Sequence, residues 1–250
     1  MAGSLWFLIN TAQAVVGVTL SAFGILVALL ARLVTGSPDV GLWMARRLWA
    51  PFLFFGAGAR LQVEGLERVD FSKPHLFVVN HQSQIDIAAL FYGLPVGLRF
   101  LVKDELRQVP FLGWFISAMG MIYIDRRERL KALRQMRRMA GLFDQGQSLV
   151  SFPEGSRSID GSVRTFKNGV FISAIEAGVE VVPMAIEGAD RVLPRGGFQV
   201  RPGVIRMAIG TPVATRGLVL SDRRRLARQL EGEVRQMFSD LKERSRNSGA

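Results

Sequence analysis

One histidine and one aspartate, five residues apart, are the first candidates for chemistry in this sequence. His81 and Asp86 lie between an apolar run at 76–79 and an apolar-periodic segment at 85–92, a pattern that predicts a strand, a tight turn and a helix. On a continuous helix their side chains would diverge. With His81 in the turn, the Asp86 carboxylate could hold one ring nitrogen and leave the other as a proton acceptor.

Asp86 also has a purely structural interpretation. Ser83 and Asp86 have the spacing of a helix capping box, in which the carboxylate serves only the helix terminus. His81 would then be an ordinary turn residue. Taken on their own, the two residues favour this interpretation.

A second candidate group follows the predicted strand 148–152. Glu154, Gly155, Ser156 and Arg157 are consecutive. Glycine permits close approach of a ligand to the backbone, and the planar guanidinium of arginine suits a phosphate. The alternative is an internal ion pair between Glu154 and Arg157 that braces the turn.

Two further cations end predicted strands. Lys103 ends the strand 98–103, and Arg126 ends the strand 121–126. We interpret Lys103 as a second phosphate cation, or as backbone near a developing oxyanion, and Arg126 as a third cation. A surface pair of Lys103 with Glu105, worth little to stability, is the alternative.

Composition narrows the function classes. The chain has 250 residues, 49% of them hydrophobic, a formal net charge of +11, two histidines and no cysteine. Disulfides and thiolate metal sites are therefore excluded, and we expect no metal. Such a positive charge suits an anionic membrane surface or a nucleic acid. No nucleic-acid-binding motif accompanies it, so we expect a membrane partner and no nucleic acid.

The N-terminus supports the membrane interpretation. Residues 1–31 carry no charged side chain, and a helix over 6–30 would be about 37 Å long, enough to cross a bilayer. A signal peptide is less well supported, because no Lys or Arg precedes the apolar run. The next segment, 40–55, mixes tryptophan with arginine, as interfacial helices do. We therefore predict a two-helix membrane anchor over 1–57, spanning the bilayer or lying in one leaflet, and a catalytic domain over 58–250.

Strands and helices alternate beyond the anchor, which predicts an α/β fold with a mostly parallel central sheet flanked by helices. Pro110 is expected to start a helix at Phe111, and Ser221 is expected to cap a C-terminal helix. The strands are predicted at 61–65, 75–80, 98–103, 121–126, 148–152, 181–186 and 204–209, and the helices at 85–92, 111–119, 127–145, 166–177 and 221–242.

Four motifs occur together in one order along the chain. They are Asn80-His81-x4-Asp86, Lys103-x-Glu105-Leu106, Glu154-Gly155-Ser156-Arg157 and Val182-Pro183-Met184. In this order they resemble the glycerolipid acyltransferase family, and most closely the bacterial 1-acylglycerol-3-phosphate O-acyltransferases. The resemblance extends from about Leu61 to Pro212. Ser156 stands where the family usually has threonine, which keeps the hydroxyl.

The resemblance implies a reaction. A fatty acyl group would pass from a thioester to the 2-hydroxyl of lysophosphatidic acid, giving phosphatidic acid. His81 would be the general base, oriented by Asp86. Acceptor binding is implied for the motif residues and the strand-end cations, namely Lys103, Arg126, Glu154, Gly155, Ser156 and Arg157. No cofactor is expected, because the glycerol hydroxyl itself attacks; the acyl donor would be acyl-CoA or an acyl carrier protein, which is an additional candidate partner.

The expected location is the cytoplasmic (inner) membrane, with the catalytic domain on the cytoplasmic side. Val182-Pro183-Met184 would line an apolar floor of the site. Phe111, Trp114, Phe115 and Met119 would wall the acyl chain or simply belong to the core. Two alternative functions stay open: acylation of glycerol 3-phosphate or another lysolipid, and a non-catalytic module that binds anionic lipid.

Overall fold

The fold is built on a central sheet. The computed structural model describes residues 2–125 and 129–247. Within these ranges, seven strands form one sheet: β1 (Ala59–Glu64), β2 (Leu76–Val79), β3 (Leu98–Lys103), β4 (Ile122–Ile124), β5 (Ser148–Ser151), β6 (Val181–Glu187) and β7 (Gly203–Ile209).

The strand order places β2 in the middle. It is β1-β7-β6-β2-β5-β3-β4, and neighbouring strands are parallel except for the antiparallel pair β6 and β7. Five strands therefore end at one edge of the sheet, while β1 and β7 run the other way. The predicted α/β fold with a mostly parallel sheet is confirmed, and the reversed pair at one side is an addition to it.

The central strands are mostly apolar and fully buried because both faces of the sheet are covered. Every residue of β2, β5 and β6 is buried, as expected for parallel strands between two layers of helices. Phe77 of β2 belongs to a core under the helices on one face, and Leu76 to a core under those on the other.

The helices form the two outer layers. They are α1 (Ala2–Thr35), α2 (Asp39–Met44), α3 (Ala50–Gly56), α4 (Ile85–Gly93), α5 (Leu112–Ala118), α6 (Arg129–Asp144), α7 (Phe171–Ala177), α8 (Ala189–Val192) and α9 (Arg223–Asn247). A π-helical turn, Ala45–Trp49, joins α2 to α3. Helices α3 and α4 cover one face, and α6, α7 and α9 cover the other.

The N-terminal helices lie on the domain and do not project from it. Helix α1 is long and apolar enough to cross a membrane and is mostly exposed. Near its start, Asn10 accepts a hydrogen bond from the Val200 N–H (2.7 Å), and near its end, Arg32 donates to the Ala118 carbonyl (3.3 Å). Leu42 and Phe54, from the segment after α1, are buried in the same core as β2. Both ends of α1 therefore rest on one globular body.

Three predicted helix starts are wrong, each because of a specific contact. Helix α5 begins at Leu112, since Phe111 has φ 60° and the Leu112 N–H bonds the Pro110 carbonyl (2.6 Å). Helix α7 begins at Phe171, because the Phe166 N–H donates to the Glu231 carboxylate (2.8 Å).

The third wrong start is that of α9. Before this helix, the Asp222 carboxylate accepts the Val219 N–H at 3.0 Å, so Ser221 does not cap the helix. A short 3-10 turn, Leu220–Asp222, precedes it instead.

Candidate active site

The loop that follows β2 is fixed at its first residue. The buried side-chain amide of Asn80 accepts the Ile186 N–H (2.8 Å) and donates to the Ile186 carbonyl (2.9 Å). The Asn80 side chain thus pairs with β6 as the backbone of a neighbouring strand would, and it satisfies both backbone groups of Ile186. Three residues on, the Ser83 hydroxyl donates to the Leu193 carbonyl at 2.6 Å. The loop is therefore anchored to β6 and to the segment after it.

His81 and Asp86 are in contact. His81 Nδ1 lies 2.8 Å from Asp86 Oδ2, and Asp86, in the first turn of α4, is fully buried. A carboxylate can only accept, so Nδ1 carries the hydrogen and Nε2 is left as the acceptor. No hydrogen-bond partner of Nε2 occurs among the residues that the structure describes. This arrangement suits a general base.

The structural interpretation of Asp86 is realised only in part. Its Oδ2 also accepts the N–H groups of Gln82 (2.8 Å) and Ser83 (2.9 Å). The N-cap of α4 is Gln84, without a side-chain cap, so the predicted capping box does not form. The carboxylate instead shapes the tight turn that brings His81 back over the helix terminus, and the same oxygen orients the ring.

Phe152 holds the other side of the imidazole. Its ring lies parallel to that of His81, with centroids 4.0 Å apart and an interplanar angle of 17°. Phe152 follows β5, the strand beside β2. With Asp86 at one edge and Phe152 on one face, the His81 side chain is only 17% exposed. The ring is thus preorganised, and sequence inspection missed Phe152 because its role depends on strand order.

Glu154 joins two loops. One oxygen accepts the His81 N–H (2.8 Å) and the other accepts the Arg164 N–H (3.0 Å). The residue is 4% exposed, and burial raises its pKa to about 7 although both backbone hydrogen bonds oppose that shift. Among the described residues it makes no ion pair with Arg157. The alternative of an internal pair is therefore not realised, and Glu154 fixes the loop through backbone contacts.

The other residues of this motif form a cationic turn. Gly155 has φ 83°, a conformation that favours glycine. The Ser156 hydroxyl accepts Arg164 Nη1 (2.6 Å), and the Arg157 carbonyl accepts Arg195 Nη1 (3.0 Å). The half-buried guanidinium of Arg157 bonds to no residue in the described ranges. Arg164 and Arg195 were not foreseen, since they reach the turn from distant segments.

Of the two strand-end cations, the structure describes only Lys103. Lys103 is exposed at the end of β3, two strands from β2 with β5 between them. Strand spacing puts it about 10 Å from the His81 loop, on the same edge of the sheet. Arg126 lies outside the described residues.

The apolar residues predicted to line the site are partly buried and partly exposed. The Val182-Pro183-Met184 segment is buried in β6 directly beside β2. Phe115 on α5 and Met119 just after it pack into the core, but Phe111 just before the helix and Trp114 on it are 39% and 54% exposed. This segment therefore packs one side against the core and exposes its N-terminal end.

Comparison with known proteins bears on this geometry. A family model described as "Acyltransferase" matches residues 60–187, a span that contains His81, Asp86 and the whole Glu154–Arg157 turn. The chain belongs to the acyltransferase family.

Individual relatives are consistent with the family. A chloroplastic 1-acyl-sn-glycerol-3-phosphate acyltransferase of Arabidopsis thaliana is 33% identical over 67% of this chain and 47% of the relative. A 1-acyl-sn-glycerol-3-phosphate acyltransferase of Saccharomyces cerevisiae is 28% identical over 78% of this chain and 65% of the relative. The chain spans about half the length of the chloroplastic and algal relatives that it matches.

A solved structure covers nearly the whole acyltransferase chain. The 1-acyl-sn-glycerophosphate (LPA) acyltransferase PlsC of Thermotoga maritima superimposes with a TM-score of 0.82 at 26% identity, over 97% of this chain and 98% of that one. The match extends over 97% of this chain, so the shared fold is not confined to residues 60–187.

Proposed function

We propose that this acyltransferase moves a fatty acyl group from a thioester to the 2-hydroxyl of 1-acylglycerol 3-phosphate, giving phosphatidic acid. The observation that carries the proposal is the 2.8 Å contact between His81 Nδ1 and Asp86 Oδ2, next to a cationic turn at the carboxyl edge of the sheet. The names of the Arabidopsis, yeast and Thermotoga relatives support this acceptor.

The mechanism follows from the orientation of the imidazole. Nε2 of His81 removes the proton of the 2-hydroxyl as its oxygen attacks the thioester carbonyl. The carbon–sulfur bond then breaks, and the imidazolium returns the proton to the leaving thiolate. Asp86 stabilises the imidazolium and keeps the ring in the required tautomer. Since the hydroxyl attacks directly, the reaction needs neither a metal nor a cofactor beyond the acyl donor, coenzyme A or acyl carrier protein bearing the chain.

The acceptor phosphate is assigned to the cationic turn. The Arg157 guanidinium has no hydrogen bond to the described residues and suits a bidentate phosphate contact. Gly155 lets the backbone approach, and Ser156 and Glu154 keep the turn in place. Lys103 and Arg126 are proposed as outer cations that attract the phosphate and the acidic donor.

Residues 1–57 are proposed as the membrane-contacting unit and 58–250 as the catalytic domain. Because both ends of α1 rest on the domain, the helix is proposed to lie in one leaflet with its exposed apolar side in the acyl layer. The net charge of +11 favours an anionic, cytoplasmic surface of the inner membrane. Deletion of residues 1–35, which spares Leu42 and Phe54 in the core, should release the chain from vesicles; continued flotation with vesicles would place the anchor elsewhere.

An acyl-transfer assay tests the activity. Purified chain in mixed micelles is given lysophosphatidic acid, other lysolipids or glycerol 3-phosphate, each with acyl-CoA and with acyl carrier protein as donor. Turnover with lysophosphatidic acid is expected. Turnover only with another acceptor would reassign the substrate, and no turnover with any pair would favour a non-catalytic lipid-binding module.

A further inference from the structure

A short segment at the start of α5 exposes apolar side chains side by side. Residues 109–114 are named here the apolar ridge. They comprise the segment after the turn that follows β3 and the first three residues of α5. Four of its side chains are between 39% and 54% exposed: Val109, Phe111, Leu112 and Trp114. The rings of Phe111 and Trp114 pack against each other with centroids 5.1 Å apart. The ridge is thus a contiguous apolar surface, which in a soluble protein marks an interaction site.

The backbone at the tip of the ridge is strained. Phe111 has φ 60° and ψ −57°, and the Leu112 N–H bonds the Pro110 carbonyl at 2.6 Å. This is a γ-turn of the rare form with positive φ. A phenylalanine in that conformation costs about 1–3 kcal/mol. The turn places the Phe111 ring against Trp114 and leaves 39% of the residue exposed.

The base of the ridge is rigid. Gly113 has no room for a side chain, because a Cβ there would collide with the Arg107 carbonyl oxygen. The Gly113 carbonyl accepts the Tyr123 hydroxyl at 2.9 Å. The Arg107 guanidinium lies 4.0 Å from the centre of the Tyr123 ring. The apolar side chains are therefore presented on a fixed base, which lowers the entropy lost on contact with a partner.

The surroundings of the ridge point to lipid as the partner. Helix α5 packs against α1, whose own exposed side is apolar. The segment just before the ridge carries two cations, Lys103 and Arg107, and Arg107 is paired with Asp104 at 3.4 Å. Aromatic residues with cations close to them in the chain are typical of the boundary between acyl chains and headgroups.

We propose that the apolar ridge inserts into the acyl layer of a phospholipid bilayer, as a second membrane contact beside α1. The inference rests on the proposed membrane function of α1 but concerns a different segment. Because the ridge follows β3, which ends on the edge of the sheet that carries His81, insertion brings that edge close to the lipid surface. A lysophospholipid could then reach the site without leaving the membrane.

Tryptophan quenching tests the proposal on the full chain. Trp6→Phe, Trp43→Phe and Trp49→Phe leave Trp114 as the only tryptophan. The protein is reconstituted into phosphatidylcholine–phosphatidylglycerol vesicles whose acyl chains carry bromine near the headgroup. The matched control adds Trp114→Phe and Val219→Trp, which moves the single tryptophan to a residue 60% exposed before α9.

The expected result is loss of most Trp114 fluorescence in brominated vesicles, with a blue-shifted emission and little quenching by aqueous acrylamide. The control tryptophan should respond in the opposite way. Trp114 quenched by acrylamide and unaffected by bromine, in protein that still floats with vesicles, would overturn the ridge proposal and leave the anchor intact. Failure to float at all would overturn both.

Discussion

Glu154 offers a test in which a stability effect follows from the site geometry. Its two oxygens hold the backbone N–H groups of His81 and Arg164, and burial raises its pKa from 4.5 to about 7. The folded state therefore binds a proton more tightly than the unfolded state does. The stability due to this proton is complete below about pH 4.5 and is lost as the pH rises through about 7. This pKa shift corresponds to about 3 kcal/mol in the free energy of unfolding.

The perturbation is Glu154→Gln, which cannot titrate. Its amide oxygen can accept only one of the two N–H groups, and an N–H left unsatisfied in the interior costs about 1–3 kcal/mol. We therefore expect the variant to be less stable than the wild type at pH 5, where the wild type has bound its proton. The difference should shrink or reverse by pH 8, because only the wild type loses stability over that interval.

The assay is the midpoint of thermal unfolding of the full chain in detergent between pH 5 and pH 9. Glu243→Gln, at an exposed position on α9, is the matched control and should run parallel to the wild type. If the Glu154→Gln and wild-type midpoints also run parallel across the range, then Glu154 does not titrate as its burial requires.

Three further variants probe the site. Asp86→Asn should lower kcat at least about tenfold with little change in KM, because a hydrogen bond to a charged group contributes about 1.5–3 kcal/mol; kcat near the wild-type value would exclude orientation by Asp86. Arg157→Ala should raise the acceptor KM by about tenfold or more and leave the donor KM unchanged, and an unchanged acceptor KM would remove Arg157 from the phosphate site. Phe152→Leu should lower kcat about two- to tenfold, the size of an aromatic pair, and steady-state kinetics with no loss would make the stack on His81 incidental.

The sheet was largely predictable because its strands are buried on both faces. The apolar runs at 76–79 and 181–186, and the segment 148–151 around Leu149-Val150, predict strands without any knowledge of their neighbours. The reversal of β1 and β7 was not predictable, since it depends on the antiparallel pairing of β6 with β7. Local pattern fixes the existence of a strand, whereas its direction is decided by tertiary contacts.

Helix starts were predicted wrongly where another group, near or far along the chain, engaged the backbone. Phe166 stays outside α7 because its N–H is bonded to Glu231, 65 residues away. Phe111 stays outside α5 because the Leu112 N–H turns back to Pro110. Neither contact has a signature in the local sequence, so periodicity and proline position gave the wrong first residue.

The candidate site likewise combines one contact within a local segment with contacts that depend on strand order. The contact between His81 and Asp86 depends on five residues of local chain. Their spacing allowed this contact but by itself favoured a helix cap, and the accompanying motifs favoured the catalytic interpretation. Phe152 and Glu154 act on His81 only because β5 lies beside β2. The motif of Glu154 could be seen in the sequence, whereas Phe152 and the contacts of both residues with His81 could not.

The most direct test of the whole account is the rate of acyl transfer by His81→Ala. The assay measures phosphatidic acid formed from lysophosphatidic acid and acyl-CoA in mixed micelles, alongside vesicle binding by the same protein. We expect turnover to fall by about 10²-fold or more, the usual contribution of a general base, while vesicle binding is unchanged. Turnover equal to that of the wild type would contradict the assignment of His81 as the base.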